Sequence, residues 1–191
     1  MNAAMDGVPP VEPPRRATRK ATSLVLVNTG DGKGKSTAAF GTAMRARAAG
    51  WPVCIVQFLK SGRWRTGEQK ACVMLGIDWW TTGDGFTWDS SDMEETEAVA
   101  REGWRKASSL LTSGDHRLIV LDEITYPMNW GWISIAEVVN EILTRPAHVS
   151  VVATGRDAPA ELLAIADTVT EMRNEKHAFD QGVRAMRGID F

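Results

Sequence analysis

A chain of 191 residues, 43% hydrophobic and 24% charged, has the length and apolar content for one globular domain with a sizeable core. A formal net charge of −2 argues against a nucleic-acid-binding protein, which would carry a broad basic surface, and no apolar run approaches membrane-spanning length. Cys54 and Cys72 stand far apart, with neither a C-x-x-C pair nor paired spacing, and the polar start MNAAMDGVPPVEPP is no signal peptide. Both features point to reduced thiols in a cytoplasmic protein rather than to a disulfide or zinc framework.

Residues 1–22 are rich in Pro, Ala and charge and end in the basic run Arg15-Arg16-Ala17-Thr18-Arg19-Lys20, which predicts a flexible arm ahead of a folded domain over 23–191. The apolar run Leu24-Val25-Leu26-Val27 predicts the first strand, and Ala38-Ala39-Phe40 opens a helix that stops at Gly50. Between them lies Thr29 to Thr37, TGDGKGKST. Strand, glycine-rich turn ending in Gly34-Lys35-Ser36, then helix is the context a phosphate-binding loop requires. Glycines let successive N–H groups turn inward without a Cβ in the way, and the helix start adds its own unpaired N–H groups. Thr29, Gly30, Asp31, Gly32, Lys33, Gly34, Lys35, Ser36 and Thr37 are thus the expected nucleotide-binding residues. Lys35 supplies a point charge to the phosphates, and the Ser36 hydroxyl a ligand for Mg²⁺ (or Mn²⁺). Thr29 occupies the place where the usual loop has its first glycine, so the cradle is one residue tighter, and Lys33 adds a second positive charge. A glycine-rich turn with solvated lysines is the alternative for such a match taken alone.

Farther on, Val53 to Leu59 predicts a buried strand, followed at its carboxyl end by a polar loop, Lys60 to Glu68, where open α/β sheets place ligands. A short helix from Glu68 to Leu75 and a strand from Ile77 to Thr81 follow. Phe86 and Trp88 then stand in a loop between glycines and acids. Ser91-Asp92-Met93-Glu94 is a capping box that starts a helix reaching Leu111. The strand Arg117 to Leu121 ends in Asp122-Glu123, the usual second half of a phosphate-loop site, where the acid holds Mg²⁺ directly or through water. Another capping box, Ser134 to Glu137, opens a helix, and His148 to Ala153 is a strand leading to Thr154-Gly155-Arg156. Asp157 is expected to cap a short helix through Ala166, and Thr168 to Met172 reads as the last strand. The tail from Arg173 has no assignable period. The whole is a doubly wound α/β domain with a mostly parallel sheet.

The TGDGKGKSTAAFG run, Gln57-Phe58, Gly85 to Asp89, Leu121 to Tyr126, Thr154-Gly155-Arg156 and the tail from Lys176 to Gly182 with Gly188-Ile189-Asp190-Phe191 together resemble the bacterial ATP:corrinoid adenosyltransferases of the phosphate-loop type. The resemblance runs from about Ser23 to Phe191 and departs at the proline-rich arm, where the family often has a helical segment covering the site. It implies the P-loop NTPase type of fold and a reaction in which Co(I) attacks the 5′ carbon of ATP, giving an adenosyl-corrinoid and triphosphate. It also implies a triphosphate bound in the reverse of the usual direction, Ser36 and Asp122 on Mg²⁺, and Glu123 positioning metal or nucleotide. Phe86 and Trp88 match the aromatics that press on the lower corrin face and displace its axial ligand. Lys35, Phe86, Trp88 and Glu123 are therefore the expected catalytic residues. The family suggests a homodimer and a reduced flavoprotein as electron donor; neither a nucleic acid nor a membrane is an expected partner. A phosphate-loop kinase or ATPase with another acceptor would share the loop and Asp122-Glu123, but would leave Phe86, Trp88 and the tail unexplained. A non-catalytic nucleotide or corrinoid binder would not need Lys35, Ser36 and Asp122 together.

Overall fold

A computed structural model of the chain describes residues 20–60, 66–82 and 93–190. Phe86, Trp88, Trp64 and the Ser91-Asp92 part of the first capping box lie outside the described residues. Six strands, β1 (Val25–Thr29), β2 (Val53–Phe58), β3 (Asp78–Thr82), β4 (Leu118–Asp122), β5 (Ser150–Thr154) and β6 (Thr168–Glu171), form one sheet in the order β3-β2-β4-β5-β1-β6. Every pairing is parallel. Helices α1 (Lys35–Ala48), α2 (Gly67–Met74), α3 (Met93–Ser113), α4 (Thr125–Asn129), α5 (Ile135–Thr144) and α6 (Ala160–Ala164) make the connections.

The alternation of side chains along each strand sorts the core into two layers. Val53, Ile55, Leu118, Val120 and Val152 face α1 and α2, meeting Phe40, Ala43 and Cys72. Cys54, Val56, Phe58, Ile119, Leu121 and Val151 face the other way, toward Trp104, Leu111, Val138, Ile142 and Leu162 of α3, α5 and α6. Strands β2, β4 and β5 are buried at every position, as continuous apolar runs covered on both faces must be. Edge strand β6 is exposed along its length. No helix among the described residues is long and apolar enough to cross a membrane. Cys54 and Cys72 are unpaired, and burial pushes their thiols up to about 12 and about 11.

Three local features differ from the sequence reading. The segment after Asp122-Glu123 forms the short helix α4, whose five residues are too few to show a period. Asp157 does not cap α6: it adopts φ 50°, the helix starts after Pro159, and the Asp157 carbonyl accepts a hydrogen bond from Asn129 Nδ2 at 3.0 Å. The Ser134 capping box is half formed. Ser134 Oγ accepts from the Glu137 amide at 3.3 Å, while the Glu137 carboxylate takes the indole N–H of Trp104 at 2.7 Å and so ties α5 to α3. Ser134→Ala should lower stability by about 1 kcal/mol, the usual worth of an N-cap hydroxyl, as read from the denaturant midpoint at constant slope.

Candidate nucleotide site

Because all strands run the same way, the chain leaves every one of them at the same edge of the sheet, the place where open α/β sheets take their ligands. A cavity of about 370 Å³ opens there. Residues from Asp31 to Thr37 form its floor, and Gln57, Lys60, Glu123, Tyr126 and Arg156 reach it from the ends of β2, β4 and β5.

The floor is the predicted loop. Gly34, at φ 117°, turns the chain into α1, whose first amides have no partner within the helix. Gly30, at φ 93°, and Gly32 lie against the backbone that leaves β6: a Cβ on Gly30 would stand 2.5 Å from the Met172 carbonyl, and one on Gly32 2.6 Å from that of Arg173. The Gly32 amide donates to the Met172 carbonyl at 2.7 Å, so that amide serves the loop's own seating. Lys35 folds back over the turn, its ammonium donating to the Gly30 and Gly32 carbonyls at 2.6 and 2.8 Å. Burial, and then the nearby Arg156, lower the Lys35 pKa. Lys33 points instead to the chain's end, with its ammonium 2.6 Å from the Asp190 carboxylate.

Of the expected binding residues, Asp31, Gly32, Lys33, Gly34, Lys35, Ser36 and Thr37 line the cavity, and Thr29 and Gly30 do not. Thr29 Oγ1 accepts from the Ala158 amide at 3.2 Å, which fixes the turn after β5, and Gly30 offers its carbonyl to Lys35.

The two acids at the end of β4 divide their work. Asp122 is fully buried and off the cavity wall, its carboxylate accepting from Gln57 Nε2 at 2.9 Å and Thr154 Oγ1 at 2.7 Å. Thr154 Oγ1 in turn accepts the Glu123 amide at 2.9 Å, holding Glu123 at φ 62°. That bend turns Glu123 into the cavity, 3.7 Å from the Lys60 ammonium. Burial first, and the Asp122 charge second, push the Glu123 carboxyl up to about 7, against the pull of Lys60 and Lys35.

Arg156 was legible as part of a motif but not as a cavity residue. Its carbonyl accepts from Thr125 Oγ1 at 2.6 Å, so α4 fixes its backbone, and its guanidinium stands 4.0 Å from the Asp31 carboxylate. The tail supplies a whole wall, with Asn174, His177, Phe179, Asp180 and Asp190. Of the three histidines only His177 lines the cavity; the other two pair elsewhere, His116 with Asp78 and His148 with the Gly114 carbonyl. None of Trp79, Trp80, Trp130 and Trp132 lines the cavity: Trp79 packs on Phe40 at 5.1 Å, Trp80 carries Lys106 at 4.0 Å, and Trp130 and Trp132 meet edge to face with ring centres 4.7 Å apart.

A divalent cation fits this donor set in one way. No group of three or more His, Cys, Asp or Glu side chains that could cage a metal exists among the described residues. Ser36 and Glu123 do share the cavity wall, as suits a Mg²⁺ that takes one or two protein ligands and the rest from phosphate and water.

The family model for ATP:corrinoid adenosyltransferase BtuR/CobO/CobP matches residues 21–191. A corrinoid adenosyltransferase of Escherichia coli (strain K12) is 42% identical over 168 residues, covering 88% of this chain and 85% of that protein. Corrinoid adenosyltransferase CobA of Salmonella typhimurium (strain LT2) is 40% identical with the same coverage. The corrinoid adenosyltransferase of Pseudomonas aeruginosa is 39% identical over 91% of this chain and 86% of its own length.

The raised Glu123 pKa makes a prediction. Between the ordinary value of 4.5 and about 7 the folded chain holds a proton that the unfolded chain has released. The stability this confers is complete below the lower value and is lost as pH rises through the upper one. With divalent metal chelated, the wild type should therefore lose on the order of 1–2 kcal/mol relative to Glu123→Gln between about pH 5 and pH 8 in denaturant titrations.

Proposed function

The chain belongs to the ATP:corrinoid adenosyltransferase family, and from that footing we propose that it transfers the 5′-deoxyadenosyl group of ATP to the reduced cobalt of a corrinoid. The observation that carries the reading is the gathering of Lys33, Lys35 and Arg156 around the predicted phosphate loop, at the carboxyl edge of the sheet. In the reaction Co(I) donates an electron pair to C5′, the cobalt–carbon bond forms, the C5′–oxygen bond breaks, and triphosphate leaves with that bond's electrons. The metal is the nucleophile, so the protein has two tasks: to hold C5′ in line and to stabilise a highly charged leaving group.

Lys35, the free amides at the start of α1 and the Thr37 hydroxyl serve the leaving group. Ser36 and the Asp122-Glu123 strand end would hold Mg²⁺, which supplies charge neutralisation on the phosphates when bound. Glu123 is the carboxylate that faces the cavity, and Asp122 acts from behind it through Thr154. Phe86 and Trp88 are assigned to the lower corrin face, where displacing the axial ligand eases reduction of Co(II). The full reading is a 23–191 catalytic domain after an arm over 1–22, working in the cytoplasm as a homodimer with a reduced flavoprotein as donor. The two unpaired, buried cysteines fit a reducing compartment.

Incubation with ATP, Mg²⁺ and chemically reduced corrinoid should give an adenosylated corrinoid and intact triphosphate; ADP and phosphate as the main products would refute the assignment. Lys35→Ala should lower turnover by about 10²–10³-fold, as loss of a charge-stabilising donor does elsewhere. Trp88→Ala should slow the reaction from Co(II) plus reductant far more than the reaction from preformed Co(I), and equal losses would remove the axial-ligand role.

A further inference from the structure

The cavity's least expected contact is made by the far end of the chain. Asp190 Oδ1 lies 2.6 Å from the ammonium of Lys33, 157 positions away in sequence, and both residues line the cavity. The other oxygen, Oδ2, accepts the Met186 amide at 2.7 Å, while the Asp190 amide donates to the Met186 carbonyl at 2.8 Å. The carboxylate thus closes a small turn of the tail and plants that turn on the phosphate loop. Lys33, and then the Met186 amide, hold the Asp190 carboxyl below the usual carboxylate range.

Among the described residues, few other contacts tie the turn to the rest of the fold. Val183, Met186 and Ile189 are among the exposed large hydrophobic side chains, and so is Phe179 on the same wall. A segment with so few buried contacts opens at small cost. An anionic oxygen on a phosphate-loop lysine is what a polyphosphate would itself offer, and a polyphosphate settling on Lys33 would bring its negative charges within a few ångströms of Asp190.

We propose that Asp190 is a built-in stand-in for a phosphate on Lys33: tail and polyphosphate compete for one ammonium, so nucleotide entry unlatches residues 183–190 and relatching favours triphosphate release. The inference rests on the cavity's being the polyphosphate site. Coupling of this kind is reciprocal: if bound polyphosphate loosens the tail, the seated tail weakens polyphosphate binding by the same factor. His177, Phe179 and Asp180 lie on the adjoining wall, so the latch also sets the shape of the cavity in the free protein.

The test uses the full chain with inorganic tripolyphosphate as probe, titrated calorimetrically, and amide exchange followed over residues 183–190. Asp190→Asn should bind the probe about fivefold or more tightly than wild type, with Asp190→Glu restoring the wild-type value. Saturation should speed exchange of 183–190 in the wild type and leave the already fast exchange of Asp190→Asn unchanged. Equal or weaker binding by Asp190→Asn, or slower exchange on saturation, would overturn the latch and make Asp190 part of a closed site. A wild type that binds neither tripolyphosphate nor ATP would instead overturn the reading of the cavity itself.

Discussion

The glycine-rich turn after β1 can close only because nothing projects from Gly30 and Gly32 toward the chain leaving β6. Either position with a side chain would drive a Cβ to within 2.6 Å of a Met172 or Arg173 carbonyl, a separation no relaxed structure shows. The cause is topological. β6 pairs with β1 and stands in parallel register with it, Thr29 opposite Glu171, so the two chains leave the sheet side by side. The predicted phosphate loop is therefore supported by a neighbour as well as by its own helix. The Gly32 amide is spent on that neighbour, Lys35 lies across the turn, and Lys33 faces the tail. The loop's two lysines have different surroundings for this reason, although the sequence sets them only two places apart.

A second lock holds the acid side of the cavity. A carboxylate that is fully buried persists only if its oxygens are paired, and Asp122 has Gln57 from β2 and Thr154 from β5 to pair with. One charge thus joins three strands at the edge where the ligand site lies. Glu123 sits at a positive φ, a conformation costing a non-glycine residue about 1 kcal/mol or more, and the Thr154 hydroxyl on its amide offsets part of that. Gly155, at φ 144°, lets α4 come so close that a Cβ there would stand 1.9 Å from Thr125 Oγ1. The same closeness delivers Thr125 to the Arg156 carbonyl and settles the arginine at the cavity.

The strands and the long helices were legible because their signals are local: apolar runs for β2, β4 and β5, and a period of 3.6 with a cap for α5. The cradle from Asp31 to Thr37 was legible for the same reason, since a loop between strand and helix carries its context with it. What escaped is non-local. No spacing rule says that Asp122 turns inward while Glu123 turns outward; that follows from donors on two other strands. The tail wall is made of polar residues without a period, placed by pairing at the end of β6 and by an ion pair across almost the whole chain. Asp157 looked like a helix cap because its residue type is right, but Pro159 sets the helix start and its own carbonyl is claimed by Asn129.

The charges around the cavity also bear on how the acid at the end of β4 is to be understood. A carboxyl at about 7 is what a general base near neutrality would show, and by itself it would suit a phosphate-loop enzyme that activates water or a hydroxyl. Its causes point elsewhere. The value is raised by burial and by the neighbouring Asp122, while Lys60 and Lys35 pull it down. A divalent cation placed against Ser36 and Glu123 would add to the pull of the lysines and favour the ionised, ligating form of the carboxyl. On the proposed reaction no base is required, since the attacking atom is a metal with an electron pair to give. An acid whose proton is favoured by burial in the free protein and which would ionise against a metal arriving with the polyphosphate is consistent with chemistry in which Glu123 serves the departing triphosphate rather than taking a proton.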